Sequence, residues 1–207
     1  YISFCYFYTL RKNNKMKYLS YKQFREGSED SGNYGHAGRP GQVGGSASNN
    51  IKEIENTTFT DKLLKEQGMI IKKDGTILHP NIKGNKYAVE IPEKMLADLK
   101  DNIFTHNHLE ETPLSYGDFG LFMQYNILEM RAVTPTATYI FKRPDPAFTD
   151  EEKYEISHLY NDLIQEYIHT QNKGREPKKA DPYRKMMEPI YKELSEKTRF
   201  SYKKEPR

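Results

Sequence analysis

Asn102-Ile-Phe-Thr-His-Asn-His-Leu-Glu-Glu-Thr-Pro-Leu-Ser-Tyr-Gly-Asp118 is the stretch on which the reading of the chain turns. Ile103–His108 reads as a strand, in which successive side chains alternate between faces, so His106 and His108 point the same way. Pro113 and Gly117 turn the chain. Ser115 then reads as a helix N-cap, and Asp118 falls in the first helical turn at N3, able to face back toward the histidines. Two neutral imidazoles and a carboxylate make three protein ligands, His106, His108 and Asp118. They leave a fourth tetrahedral position for water, the arrangement of a catalytic zinc site rather than a structural one. The bland alternative for the same residues is a surface turn with two solvated histidines.

Composition narrows the chemistry around this stretch. The chain has 207 residues, enough for one core with extensions, or for a domain of about 130 residues with flanking segments. Cys5 is the only cysteine, which removes disulfide frameworks and thiolate zinc sites and leaves histidines and carboxylates as metal ligands. A net charge of +3, with Lys and Arg interspersed among Asp and Glu, argues for no nucleic-acid surface. No apolar run approaches the ~20 residues of a membrane span, so the expectation is no membrane and a cytoplasmic setting. Sixteen tyrosines and no tryptophan predict an aromatic but polar interior.

Outward from the histidines, four regions are expected. Residues 1–25 form an N-terminal segment in which translation is expected to start at Met16, making residues 1–15 an upstream reading. Residues 26–50, rich in Gly and Ser, read as a flexible linker. Residues 51–145 carry the metal-binding domain, and residues 146–207 a helical extension. Within the domain, 51–55 and 57–66 read as helical turns with Thr60 or Asp61 as a cap. Met69–Lys73 and Thr76–Leu78, joined by Asp74-Gly75, read as a hairpin. Tyr87–Ile91 reads as a strand, and Pro92–Lys100 as a helix with Met95, Leu96 and Leu99 on one stripe. After the histidine strand and the Ser115/Asp118 helix, 127–133 and 138–141 read as two more strands. The fold class is therefore mixed α/β, a mixed sheet with flanking helices. In the extension, Thr149-Asp-Glu-Glu152 is a capping box opening a helix to about Gly174, and a second helix begins near Asp181 with Pro189 inside it.

The His-x-His strand followed by Ser115-x-x-Asp118 resembles the signature of JAB/MPN/JAMM zinc metallopeptidases, over about Lys65 to Pro144. Two departures are visible: Leu109 stands where Pro is usual, and six residues separate His108 from Ser115 where eukaryotic members usually have seven. The resemblance implies the layout of that family, also described as cytidine-deaminase-like, a bound Zn2+, and hydrolysis of a peptide or isopeptide bond in a peptide or protein substrate. It also implies a glutamate base on a strand upstream of the histidines. Glu66, at the head of the first hairpin strand, is the leading candidate; Glu53, Glu55 and Glu90 are the rivals. Ser115 is implied as an oxyanion donor besides its capping role, while Glu110 and Glu111 read as rim charges. Gly35–Ser46 resembles a segment of tailed-phage head proteins and mobile-element proteins. That implies phage structural proteins as partners and a host-cytoplasm or virion location.

Other readings of the same residues are less well served by the spacing. A cupin site also begins His-x-His, but its Glu comes later than Glu110 or Glu111, and the His-Asn-His nuclease motif is dispersed over a longer segment. A metal phosphoesterase can use two histidines and one carboxylate, though the sequence offers no second cluster for a two-metal site. Two classes stay open: a zinc-dependent JAMM-type hydrolase, and a phage head or assembly accessory whose JAMM-like domain is structural or inactive.

Overall fold

A computed structural model describes residues 47–60, 63–171 and 181–207. The N-terminal segment, residues 26–46 of the expected linker, the phage-like Gly35–Ser46 string and the expected helix end at Gly174 lie outside the described residues. The elements run α1 (Ala47–Thr58), β1 (Gln67–Ile71), β2 (Ile77–Lys83), a 3-10 helix (Glu93–Leu99), β3 (Ile103–Asn107), α2 (Tyr116–Gln124), β4 (Glu129–Val133), β5 (Ala137–Lys142), α3 (Asp150–Gln171), α4 (Asp181–Lys197) and β6 (Ser201–Pro206).

The strands form one six-stranded mixed sheet in the order β2-β1-β3-β4-β5-β6. Only β3 and β4 are parallel, with His106 beside Ala132, and the chain crosses between them through α2. All other neighbours are antiparallel. The period of two in β3 sorts its side chains between two cores. Phe104 joins Ile70, Met130, Ala132, Tyr139 and Phe141 beneath α2, α3 and α4. Ile103 joins Met69, Ile71 and Val133 beneath α1. The fold is thus a mixed α/β sheet with helices on both faces.

α1 presents Ile51, Ile54 and Glu55 to the sheet, the i, i+3, i+4 stripe of an amphipathic helix. Glu55 is only 1% exposed. It is neutralised by Arg131, whose Nε and Nη2 donate to its two oxygens at 2.6 and 3.0 Å, while Thr105 Oγ1 donates at 2.6 Å. Arg131 Nη1 reaches Glu129 at 2.6 Å as well.

Several local expectations differ from the structure. α1 begins at Ala47, four residues inside the expected linker, and ends at Thr58, where the Thr57 hydroxyl turns back to the Glu53 and Ile54 carbonyls. Leu63–Glu66 are not helical. The Asp74-Gly75 turn forms with Gly75 at φ +90, the left-handed region that glycine enters without steric cost. Strand β2 runs on to Lys83, past the expected Leu78. Pro80 is tolerated because β2 is an edge strand and its pairing is irregular. Tyr87–Ile91 makes only one bridge, Val89 to Gly84, because Asn85 Oδ1 accepts from the Tyr87 and Ala88 amides and closes a turn. The Pro92 helix is 3-10.

Residues 146–207 are not wholly helical. The Thr149/Glu152 capping box forms as expected, and α3 and α4 bury Ile156, Tyr160, Leu163, Met187, Ile190, Tyr191 and Leu194 in the main core. Beyond α4 the chain returns as β6 and pairs along β5, Tyr202 beside Phe141 and Lys204 beside Tyr139. The expected extension therefore completes both the sheet and the core of the expected domain.

Candidate metal centre

The site sits where the carboxyl end of β3 meets the amino end of α2. Ser115 caps α2: its Oγ accepts from the Asp118 amide at 3.2 Å, and the Asp118 carboxylate accepts from the Ser115 amide at 2.6 Å. This reciprocal box holds Asp118 against its own helix start. Ser115 Oγ–H donates to the same oxygen, Oδ2, at 2.6 Å. With Oδ2 taking two donors, Oδ1 is the oxygen directed at His106 Nε2, 3.3 Å away. His108 Nε2 lies 3.7 Å from Oδ2, and the two Nε2 atoms are 3.0 Å apart.

His106, His108 and Asp118 therefore bring one ligand atom each into a cluster no wider than 4.8 Å, a group that could hold a metal ion. Ligands bound ~2.0–2.1 Å from a tetrahedral zinc lie about 3.4 Å apart, which is the scale of the observed separations. Both histidines are buried, 2% and 9% exposed.

The tautomers follow from the neighbours. His108 Nδ1 lies 3.0 Å from the Thr112 carbonyl oxygen, which can only accept, so the neutral ring carries its proton on Nδ1. The Nε2 lone pair then faces the cluster, as outer-sphere hydrogen bonding does for metal-ligating histidines. His106 stacks on Phe104 at 5.3 Å and 17°, and its Nδ1 is buried without a hydrogen-bond partner among the described residues. Two imidazole nitrogens and a carboxylate this close repel one another unless a proton or a cation lies between them.

The ionisation of the groups reflects that choice. Burial would raise the Asp118 carboxyl, but the His106 charge and the hydrogen bonds from both imidazoles outweigh it and hold it well below the usual carboxylate range. Burial would lower His108, and the Asp118 carboxylate, Glu66 and the Thr112 carbonyl reverse that, so the imidazole titrates above its ordinary value.

Glu66 joins the group through the register of β1. Gly68 pairs with His106 and runs antiparallel to it, so two residues further back Glu66 comes opposite His108 on the same face. The Gln67 amide is fixed by Asn107 Oδ1 at 2.7 Å and the Glu66 amide by Asn85 O at 2.8 Å. Gly84 permits this approach, since a Cβ there would come within 2.8 Å of the Glu66 carbonyl oxygen. The Glu66 side chain is 8% exposed. Burial raises its pKa; the neighbouring His108 and His106 pull it back only in part, and Asp118 adds to the rise.

The rivals lie elsewhere. Glu55 is on the opposite face of the sheet, tied to Thr105 and Arg131. Glu90 accepts from Asn85 Nδ2 at 2.8 Å, and Glu53 is exposed on α1. Two residues of the connecting loop matter more than the sequence indicates. Thr112 orients His108 through a backbone carbonyl, for which no sequence signal exists. Glu111, expected as a rim charge, accepts from Thr134 Oγ1, Tyr139 Oη and the Thr136 amide at 2.9, 3.1 and 3.2 Å, tying the loop to the β4–β5 turn. A small cleft, open to solvent, lies beside His108 between Phe59, Leu63, Leu109, Val133 and Pro135.

No protein-family model, curated protein or solved structure matches the chain. Among the described residues, no helix is long and apolar enough to cross a membrane.

Proposed function

We propose that this chain is a zinc-dependent hydrolase of JAMM type that cleaves a peptide or isopeptide bond. The observation that carries the reading is the convergence of four side chains from three separate elements. His106 and His108 come from β3 and its end, Asp118 from the start of α2, and Glu66 from the head of β1. The donor set of two imidazoles and one carboxylate suits zinc, which supplies Lewis acidity, acidifying water and polarising a carbonyl oxygen.

The chain's own residues divide the remaining work. His106 Nε2, His108 Nε2 and Asp118 Oδ1 are the ligands. Thr112 O fixes the His108 tautomer, and the two Ser115 donors fix the Asp118 carboxylate. Glu66 is the general base: it takes a proton from the attacking water and returns it to the departing amine nitrogen as the C–N bond breaks. A carboxyl whose pKa is raised by burial is suited to both halves of that transfer. Ser115 acts as an oxyanion donor only when its hydroxyl turns from Asp118 Oδ2, its present partner at 2.6 Å.

The test is elemental analysis of the purified full chain, followed by a screen of peptides and isopeptide-linked conjugates with metal-stripped and zinc-restored protein. About one zinc per chain, with cleavage lost on chelation and regained with zinc, is expected. Cleavage that survives complete metal removal refutes the proposal. The alternative of a phage assembly accessory draws on Gly35–Ser46, outside the described residues.

A further inference from the structure

The main core of the C-terminal helices holds a buried polar group that packing alone does not require. Tyr191, on α4, is 0% exposed, yet its hydroxyl lies 3.1 Å from the Leu114 carbonyl oxygen and 3.2 Å from that of Ser115. Carbonyls only accept, so the hydroxyl donates its proton to this pair. The Tyr160 hydroxyl on α3 lies 3.4 Å from the Tyr191 oxygen and 3.4 Å from Met187 Sδ, and its one proton can go to either. The Tyr191 ring is clamped independently of its hydroxyl, edge-on to Phe141 at 4.6 Å and stacked on Tyr160 at 5.9 Å.

Leu114 and Ser115 are the two residues that deliver the chain into the cap of α2. Ser115 in turn places two donors on Asp118 Oδ2. We infer that Tyr191 is a positioning residue for the metal centre: its hydroxyl locks the Leu114–Ser115 backbone, through which Asp118 is aimed at His106 and His108. The inference rests on the metal reading of the site. It makes α4, some seventy residues beyond the ligands, part of the site's support. Outer-shell partners of a metal ligand are typically worth ~10–100-fold in affinity.

The test uses the full chain, stripped of metal and titrated with Co2+, then with Zn2+ in competition. Cobalt reports both affinity and ligand geometry through its visible absorption. Tyr191→Phe keeps the ring and removes only the hydroxyl. It is expected to weaken Co2+ and Zn2+ binding about tenfold or more and to change the cobalt bands, while the metal-free variant still unfolds cooperatively. Tyr160→Phe, which leaves the Tyr191 donation in place, is expected to bind and absorb as the wild type does. Equal affinity and an unchanged cobalt spectrum in Tyr191→Phe overturn the inference while leaving the metal site intact. Equal losses in both variants also overturn it, because they reduce the effect to core packing. A wild type that takes up neither metal overturns the site reading and this inference together. Should Tyr191→Phe fail to fold, hydrogen exchange on the wild type decides instead. Zinc must then slow exchange at the amides around Tyr191 more than at those of β2, the edge strand remote from α4, and uniform or absent protection refutes the coupling.

Discussion

Replacing Glu66 and Glu55 by Gln, one at a time, separates the proposed catalytic carboxylate from a structural one. Both are buried glutamates near the same strand, and they face opposite sides of the sheet. Glu55 neutralises Arg131 through bonds of 2.6 and 3.0 Å, with both side chains almost fully enclosed. Removing one partner of such a pair costs about 3–5 kcal/mol. For a domain of this size that corresponds to a fall of roughly 6–20 °C in Tm. Among the described residues Glu66 has no such partner. Its carboxylate is disfavoured by burial, so its folded pKa lies above its unfolded value. A group of that kind contributes stability below the unfolded pKa and loses it as pH rises through the folded pKa. In metal-free protein Glu66→Gln should therefore unfold at or above the wild-type temperature at neutral pH. The variant's advantage should shrink as pH falls toward 4.5, the ordinary carboxyl value. With zinc bound and a cleavable conjugate in hand, the same variant should hydrolyse ~10²–10⁴-fold more slowly, or about 3–5.5 kcal/mol in barrier. Differential scanning fluorimetry at several pH values and single-turnover cleavage measure the two arms. The reasoning is refuted by Glu66→Gln cleaving at the wild-type rate, or by Glu55→Gln keeping its Tm.

Three further outcomes are expected. Zinc should bind at about one equivalent and be lost in His106→Ala/His108→Ala; stoichiometric zinc in that double variant by mass spectrometry would remove the site. Asp118→Asn should weaken zinc binding most and lose turnover as a consequence, because it removes a charged ligand. Ser115→Ala, which removes one of the two donors holding Asp118 Oδ2, should weaken zinc binding by ~10–100-fold and, at saturating zinc, still turn over ~10²–10³-fold more slowly; calorimetry with kinetics on each variant distinguishes them. In metal-free protein, His108 with its raised pKa stabilises the fold below the unfolded value of about 6.5 and loses that contribution as pH rises through the folded value. Asp118, with its lowered pKa, contributes above about 3.8 and loses its contribution only as pH falls through its folded value. Chemical denaturation should therefore show the pair's contribution greatest at mildly acidic pH and shrinking toward alkaline pH; a wild type whose pH profile matches that of Asp118→Asn across this range would contradict the pairing.

Much of the centre was legible because it is local in sequence. A one-residue gap in a strand places His106 and His108 on one face, and the N-cap spacing of Ser115 and Asp118 is set by a single helical turn. The mixed α/β class followed from the same alternation of strand and helix patterns, and the Asp74-Gly75 hairpin from a turn that glycine makes easy. These features depend on periods of two and 3.6 residues and on backbone preferences, which any short window of sequence carries.

What the tertiary structure alone decided is which distant segments meet. Glu53, Glu55, Glu66 and Glu90 were indistinguishable as carboxylates. The register of β1 on β3 sends Glu66 to the histidine face, and the docking of α1 sends Glu55 to the other, where Arg131 neutralises it. The strand Ser201–Pro206 left no hydrophobic alternation to read, because an edge strand draws its order from the backbone of β5 rather than from its own side chains. Tyr191 looked like one more core residue on a helical stripe. Only the packing of α4 against the loop shows its hydroxyl reaching the Leu114 and Ser115 carbonyls. Local periodicity is written in neighbouring residues, whereas pairing register and helix docking are settled by burial and hydrogen-bond satisfaction summed over the whole fold.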